Sequence, residues 1–114
     1  MPINQYMRLC LYDEEFGYYS ISSPIGKSGD FITSPEISQM FGELIGLWVS
    51  KVWHELYEGS TFNLIELGPG NGTLMADLLR VSKNIPKFLD SALIYLVETS
   101  KRLQLIQKNR LKKF

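Results

Sequence analysis

The sequence holds one cysteine, Cys10, and one histidine, His54. A lone thiol excludes an internal disulfide and any multi-cysteine metal centre, so no metal ligands are expected. No apolar run approaches the ~20 residues of a membrane-spanning helix. The opening Met1-Pro2-Ile3-Asn4 is neither a signal peptide nor an Arg-rich transit segment, which points to a cytoplasmic protein. Internal repeats and low-complexity stretches are also missing. Net charge is zero, yet acid is absent from one end: no Asp or Glu follows Glu98, while Lys101, Arg102, Lys108, Arg110, Lys112 and Lys113 crowd the tail. A basic helix end can attract nucleic acid. It equally complements the helix dipole and needs no partner, so nucleic acid is not expected. The one Gly-Lys-Ser, Gly26-Lys27-Ser28, has Ile21 where a phosphate loop needs its first glycine, which excludes that motif.

What is present is 114 residues with 45% hydrophobic content, enough for one globular unit with a modest core. The stretch from Phe62 to Thr73 reads as a site. Leu64, Ile65 and Leu67 have the apolar character of a parallel strand, and Gly68, Gly70 and Gly72 follow at alternate positions. Leu74, Met75, Leu78 and Leu79 then fall at helical spacing, over about Thr73 to Ser82. Strand, glycine turn and helix are the context a nucleotide-type fingerprint requires. A dinucleotide fold wants G-x-G-x-x-G, whose third glycine would fall at Thr73; here it falls at Gly72. That weakens a nicotinamide reading without removing it. The spacing E-x-G-x-G-x-G, from Glu66 to Gly72, resembles the first motif of class I methyltransferases that use S-adenosylmethionine. That cofactor carries an amino group and a sulfonium, and the Glu66 carboxylate favours both.

A second strand is expected at Ala92 to Val97, with Glu98 at its C-terminal end, 26 residues after Gly72. In an open α/β sheet ligands bind outside the carboxyl ends of strands, where an acid can accept from ribose hydroxyls. Glu66, Gly68, Pro69, Gly70, Asn71, Gly72 and Glu98 are therefore the candidate cofactor residues. A tight structural turn and a solvated strand end are the plainer alternatives.

Around this centre, Ile3 to Tyr12 reads as an amphipathic helix. Gly17 breaks the run, and Tyr18-Tyr19 open an extended segment with one ring inward. Ser22 to Asp30 is a Gly/Pro-rich loop. A long helix is expected from about Pro35 to Glu58, ended by Gly59, and capped either by Thr33 with Glu36 in a capping box or by Ser34 with Pro35 at the first position. Ser38, Gly42, Gly46 and Ser50 form a row of small residues on it, which implies that a backbone or a ligand edge comes very close. Lys83 to Ser91 is a loop, and a last helix follows a cap at Thr99 or Ser100. The chain divides into a helical and loop segment, 1–59, and a β-α-β-α portion, 60–114.

Across nearly the whole chain the wording resembles one family. Tyr6-Met7, Leu11-Tyr12, Gly17-Tyr18-Tyr19, the block Gly29 to Ser38 (GDFITSPEIS), Phe41-Gly42-Glu43-Leu44, Glu66-Leu67-Gly68-Pro69-Gly70 and Val97-Glu98-Thr99-Ser100 are similar to the MidA-type methyltransferases. The resemblance implies an α/β, Rossmann-like class I fold, S-adenosyl-L-methionine as cofactor and protein arginine as acceptor. In the mitochondrial members the acceptor is a subunit of the respiratory NADH dehydrogenase, and the location is the matrix. Asn71 stands where the family usually has Arg. Members run to several hundred residues with a seven-stranded sheet, so this chain is expected to be the N-terminal part of such an enzyme, with two parallel strands, open sheet edges and a complementing segment or oligomer as partner. An inactive truncated fragment is the alternative. Asp30 and Glu36, in the specific loop before the long helix, are the candidate carboxylates at the methyl end; turn formation for Asp30 and capping for Glu36 are the competing roles.

Overall fold

The computed structural model describes every residue except 23, 27 and 58. In chain order the elements are α1 (Ile3–Tyr12), α2 (Tyr18–Ile21), α3 (Ser34–Ile37), α4 (Gln39–Tyr57), β1 (Phe62–Leu67), α5 (Thr73–Ser82), α6 (Phe88–Ser91), β2 (Ala92–Val97) and α7 (Lys101–Leu111). The strands pair in parallel, from Phe62 opposite Ala92 to Leu67 opposite Val97. Gly68 extends the ladder by donating its N–H to the Val97 carbonyl at 2.9 Å. Both strand ends that carry candidate residues are thereby held side by side.

α5 is the middle layer. Its Met75, Leu78 and Leu79 are buried, with Ile45 and Val49 of α4 on one side and Leu64 and Leu96 of the strands on the other. The small-residue row of α4 explains how the helices approach. A Cβ on Gly42 would lie 2.6 Å from Asp77 Cβ, and one on Gly46 would lie 2.9 Å from the Leu78 carbonyl oxygen. Ser50, 2% exposed, lies 3.3 Å from Ser82 Oγ across the same seam. The row is thus a helix-packing surface, and no ligand edge is required. A second apolar knot of Trp53, Phe62 and Phe88, with ring centroids 5.1–6.1 Å apart, ties α4 to the start of β1 and to α6. Trp53 is placed by its indole N–H, which donates to the Ser60 carbonyl at 3.2 Å.

The sheet is covered on one face only. Ile65, Leu67, Leu93, Tyr95 and Val97 are each at least half exposed, so the sheet presents an open apolar face. Alternation explains it: successive side chains point to opposite faces, and the layer of α5 meets only one.

Three expectations need correction. The long helix is broken at Ser38, which is extended at φ −147, ψ 126. Its hydroxyl accepts from the Met40 N–H at 3.2 Å, the local side-chain bond by which serine competes with helix and starts a new one. The expected C-terminal residue Glu58 lies outside the described residues. Tyr18-Tyr19 open a single helical turn rather than an extended segment, and Lys83 to Ser91 includes α6. One expectation is sharpened: α7 is capped by Ser100, whose hydroxyl accepts from the Leu103 N–H at 3.4 Å. Ser100→Ala is expected to cost about 1 kcal/mol in a urea titration. An unchanged midpoint would mean the cap is idle.

Candidate functional site

The glycine turn leaves β1 at its carboxyl end. Gly68, Gly70 and Gly72 have φ of 63, 54 and 71, the left-handed region where a side chain is strained, so the chain can reverse sharply and enter α5. At the parallel end of β2, Glu98 turns back on its own backbone. Its Oε1 accepts from the N–H groups of Thr99 at 2.8 Å and Ser100 at 2.9 Å. Oε2 faces the Gln107 amide at 3.4 Å. The Glu98 carboxylate is thus fixed in position before any ligand arrives.

Gly68, Gly70 and Glu98 line one cavity of about 370 Å³, with Tyr12, Tyr19, Val97, Thr99, Leu103 and Ile25 completing its walls. That volume lies in the range of small-molecule sites. A second recess of about 280 Å³ adjoins it, sharing Ile25, Gly68 and Gly70 and adding Glu36, Glu66, Pro69, Asn71 and Thr73. The turn therefore runs between a recess with one acid and a recess with two. Gly72 is buried at the α5 N-cap and lines neither.

One feature makes the second recess suited to a hydrogen-bond donor such as an ammonium group. Glu66 Oε2 is buried with no hydrogen-bond partner among the described residues. Burial pushes the Glu66 carboxyl up from the ordinary 4.5 to about 7. An ammonium group beside it would supply the missing donor and favour the charged form. Because the folded pKa exceeds the unfolded one, the folded protein holds more protons between about 4.5 and 7. Stability from this group therefore falls as pH rises through that window, then levels off. Glu66→Gln should flatten that part of the profile of Tm against pH. A variant that keeps the full slope would assign the dependence to other groups.

Glu36 makes no capping bond at Thr33. Its Oε1 instead accepts from the Thr73 hydroxyl at 2.6 Å and faces the Asn71 amide at 3.4 Å, bridging the loop before α3 to the glycine turn. The Thr73 hydroxyl in turn accepts from the Arg110 guanidinium of α7. Asn71 also donates to the Ile25 carbonyl at 3.2 Å, so this short side chain closes the loop onto the turn. Asp30 lies apart. Its Oδ2 accepts from the Tyr18 hydroxyl at 2.5 Å and it lines neither recess.

Sequence reasoning missed Gln107, Tyr12 and Tyr19 as parts of the site. Gln107 could have been found, since it stands four residues after Leu103 on the face of α7 that carries its apolar residues. The tyrosines carried no such signal. Their rings stack at 5.9 Å, a contact between α1 and α2 that no spacing rule announces.

A parallel strand pair, a left-handed glycine turn and an acid at the end of the neighbouring strand together form a Rossmann-like arrangement. The Methyltransf_28 family model, which describes S-adenosyl-L-methionine-dependent methyltransferases, matches residues 44–114, and the chain belongs to this family. Among similar curated proteins, the mitochondrial protein arginine methyltransferase NDUFAF7 of Xenopus laevis is 47% identical over 113 residues, covering 97% of this chain and 26% of its own length. The Drosophila melanogaster homolog is 45% identical over 112 residues, covering 96% and 25%. The human protein is 43% identical over 109 residues, covering 94% and 25%. This chain therefore spans about a quarter of the length of these relatives. A Burkholderia thailandensis protein crystallised with S-adenosyl-homocysteine superposes with a TM-score of 0.76 at 29% identity, over 99% of this chain and 29% of that one. The expected fold class and the S-adenosylmethionine family are thus both met, and the resemblance to arginine methyltransferases holds at the level of named relatives. Among the described residues no helix is long and apolar enough to cross a membrane.

Proposed function

We propose that this chain supplies the S-adenosylmethionine-binding part of a protein-arginine methyltransferase. The single observation that carries the reading is the cavity lined together by Gly68, Gly70 and Glu98, adjoined by a recess with an orphaned buried Glu66 oxygen. The residues fit the cofactor: an acid for a ribose hydroxyl, glycine backbone for close approach, a carboxylate for an amino group, and, among the described lining residues, no cation waiting for a phosphate. When bound, S-adenosylmethionine supplies an electrophilic methyl group on sulfur.

The chain's own residues then divide the remaining work. Glu98 grips the sugar through Oε2, because Oε1 is already engaged by two backbone donors. Glu66 receives the amino group. Glu36 holds the acceptor guanidinium beside the turn; arginine stays protonated until its nitrogen reacts, and a carboxylate there orients it and accepts its hydrogen bonds. Asp30, bonded to Tyr18, acts on the loop that carries Glu36. The acceptor is a protein, as the names of the arginine methyltransferase relatives imply; the family resemblance in the sequence suggests a subunit of the respiratory NADH dehydrogenase. The open apolar face of the sheet is the surface on which a complementing segment or a second copy would pack.

Calorimetric titration of the protein, expressed at the full length its gene encodes, tests the cofactor. S-adenosylhomocysteine should bind and NAD should not; binding of NAD alone, or of neither, overturns the reading. Glu36→Ala should lower methylation of an arginine substrate at least tenfold with cofactor affinity unchanged. Near-normal methylation would remove Glu36 from the acceptor site.

A further inference from the structure

Gln107 is 3% exposed, a long polar side chain on the apolar face of α7, the helix that ends in the basic tail. Its amide nitrogen donates to the Gly70 carbonyl at 2.7 Å and faces Glu98 Oε2 at 3.4 Å. One NH2 group thus reaches both halves of the cavity: the turn that follows β1 and the acid that follows β2. The stem of the same residue lies against Gly72, where a Cβ would come within 3.3 Å of Gln107 Cγ. Further along this face of α7, Leu103 lines the cavity and Arg110 bonds Thr73.

From this geometry we propose that Gln107 is a positioning residue for the cofactor site, holding the glycine turn and the Glu98 carboxylate at a fixed separation. The inference rests on the methyltransferase reading above. The chemistry explains the residue type. A primary amide offers two N–H donors to two acceptors without a charge. Lysine there would neutralise Glu98, and glutamate would set acceptor against acceptor on both sides. Because Oε1 of Glu98 already takes two backbone donors, the Gln107 bond governs where Oε2 points, and Oε2 is the oxygen left for the ligand. Its length, 3.4 Å, is long for a hydrogen bond, and sites of this kind shorten such contacts when the ligand binds.

The test is a double-mutant cycle on the full-length protein, read by calorimetric titration with S-adenosylhomocysteine. Gln107→Met keeps the stem and removes the donors; it should weaken binding about tenfold. In a Glu98→Gln background the same change should weaken it no more than about threefold, because the partner it orients is gone. Equal losses in both backgrounds, or no loss in either, would overturn the proposal. A second measurement needs no variant: the side-chain amide signals of Gln107 in an NMR titration of the unsubstituted protein should shift as S-adenosylhomocysteine binds. Bound ligand with unmoved Gln107 signals would also overturn it. Failure of the unsubstituted protein to bind the ligand is a different result and overturns the methyltransferase reading itself.

Discussion

Replacing Gly46 with valine is expected to destabilise the fold by about 3 kcal/mol or more, visible as a large fall in the urea midpoint. The reason lies in what surrounds it. A Cβ at this position would meet Val81 Cγ1 at 2.7 Å, the Leu78 carbonyl oxygen at 2.9 Å and Leu78 Cα at 3.0 Å. Two of these are backbone atoms of α5, so no rotamer change relieves the clash and the helices must separate. Separation opens the seam beside Met75, Leu78 and Leu79, the buried centre to which the sheet is also anchored. Against a total stability of 5–15 kcal/mol, the loss is a large fraction. Gly46→Ala should show the same direction with a smaller size. A valine variant that unfolds at the parent midpoint would mean that α4 does not pack on α5 as described.

The second large effect is on binding. Glu98→Gln is expected to weaken S-adenosylhomocysteine affinity ten- to a hundredfold, the range for losing a hydrogen bond to a charged acceptor. The substitution separates function from folding. The glutamine carbonyl can still accept from the Thr99 and Ser100 N–H groups, so the strand end keeps its turn. What changes is the other atom, which becomes a donor facing both the Gln107 amide and the ligand hydroxyl. Tm should therefore move little while calorimetry records the loss. Unchanged affinity would move the sugar elsewhere.

The parts of this molecule that could be read from sequence are those whose signals are local. Phe62 to Ser82 announces a strand, a turn and a helix in order, because apolar spacing and positive-φ glycines are set by neighbours along the chain. The small-residue row on α4 was legible for the same reason, and its meaning as a packing seam needed only the partner, α5. The break at Ser38 was hidden because apolar periodicity runs through it, while the bond from its hydroxyl to the Met40 N–H does not show in spacing. One-turn helices such as Tyr18–Ile21 and Phe88–Ser91 are too short to carry a period at all.

The site divides in a similar way. Gly68, Gly70 and Glu98 could be named in advance because each lies just past the end of a strand. Glu36 could be named only as a choice between cap and site, since a bond to Thr73, 37 positions away, has no trace in local pattern. Gln107 stands between these cases: a polar residue on an apolar helix face is visible, but what it touches is not.

The turn after β1 and the acid after β2 are proposed to hold the two ends of one cofactor. The most direct measurement is a crystal structure of the full-length protein with S-adenosylhomocysteine. The amino-acid end of the ligand should lie against Gly68 and Gly70, with a ribose hydroxyl within about 3.2 Å of Glu98 Oε2, the usual reach of a hydrogen bond. A ligand bound with its sugar away from Glu98, or outside the cleft between the two strand ends, would contradict it.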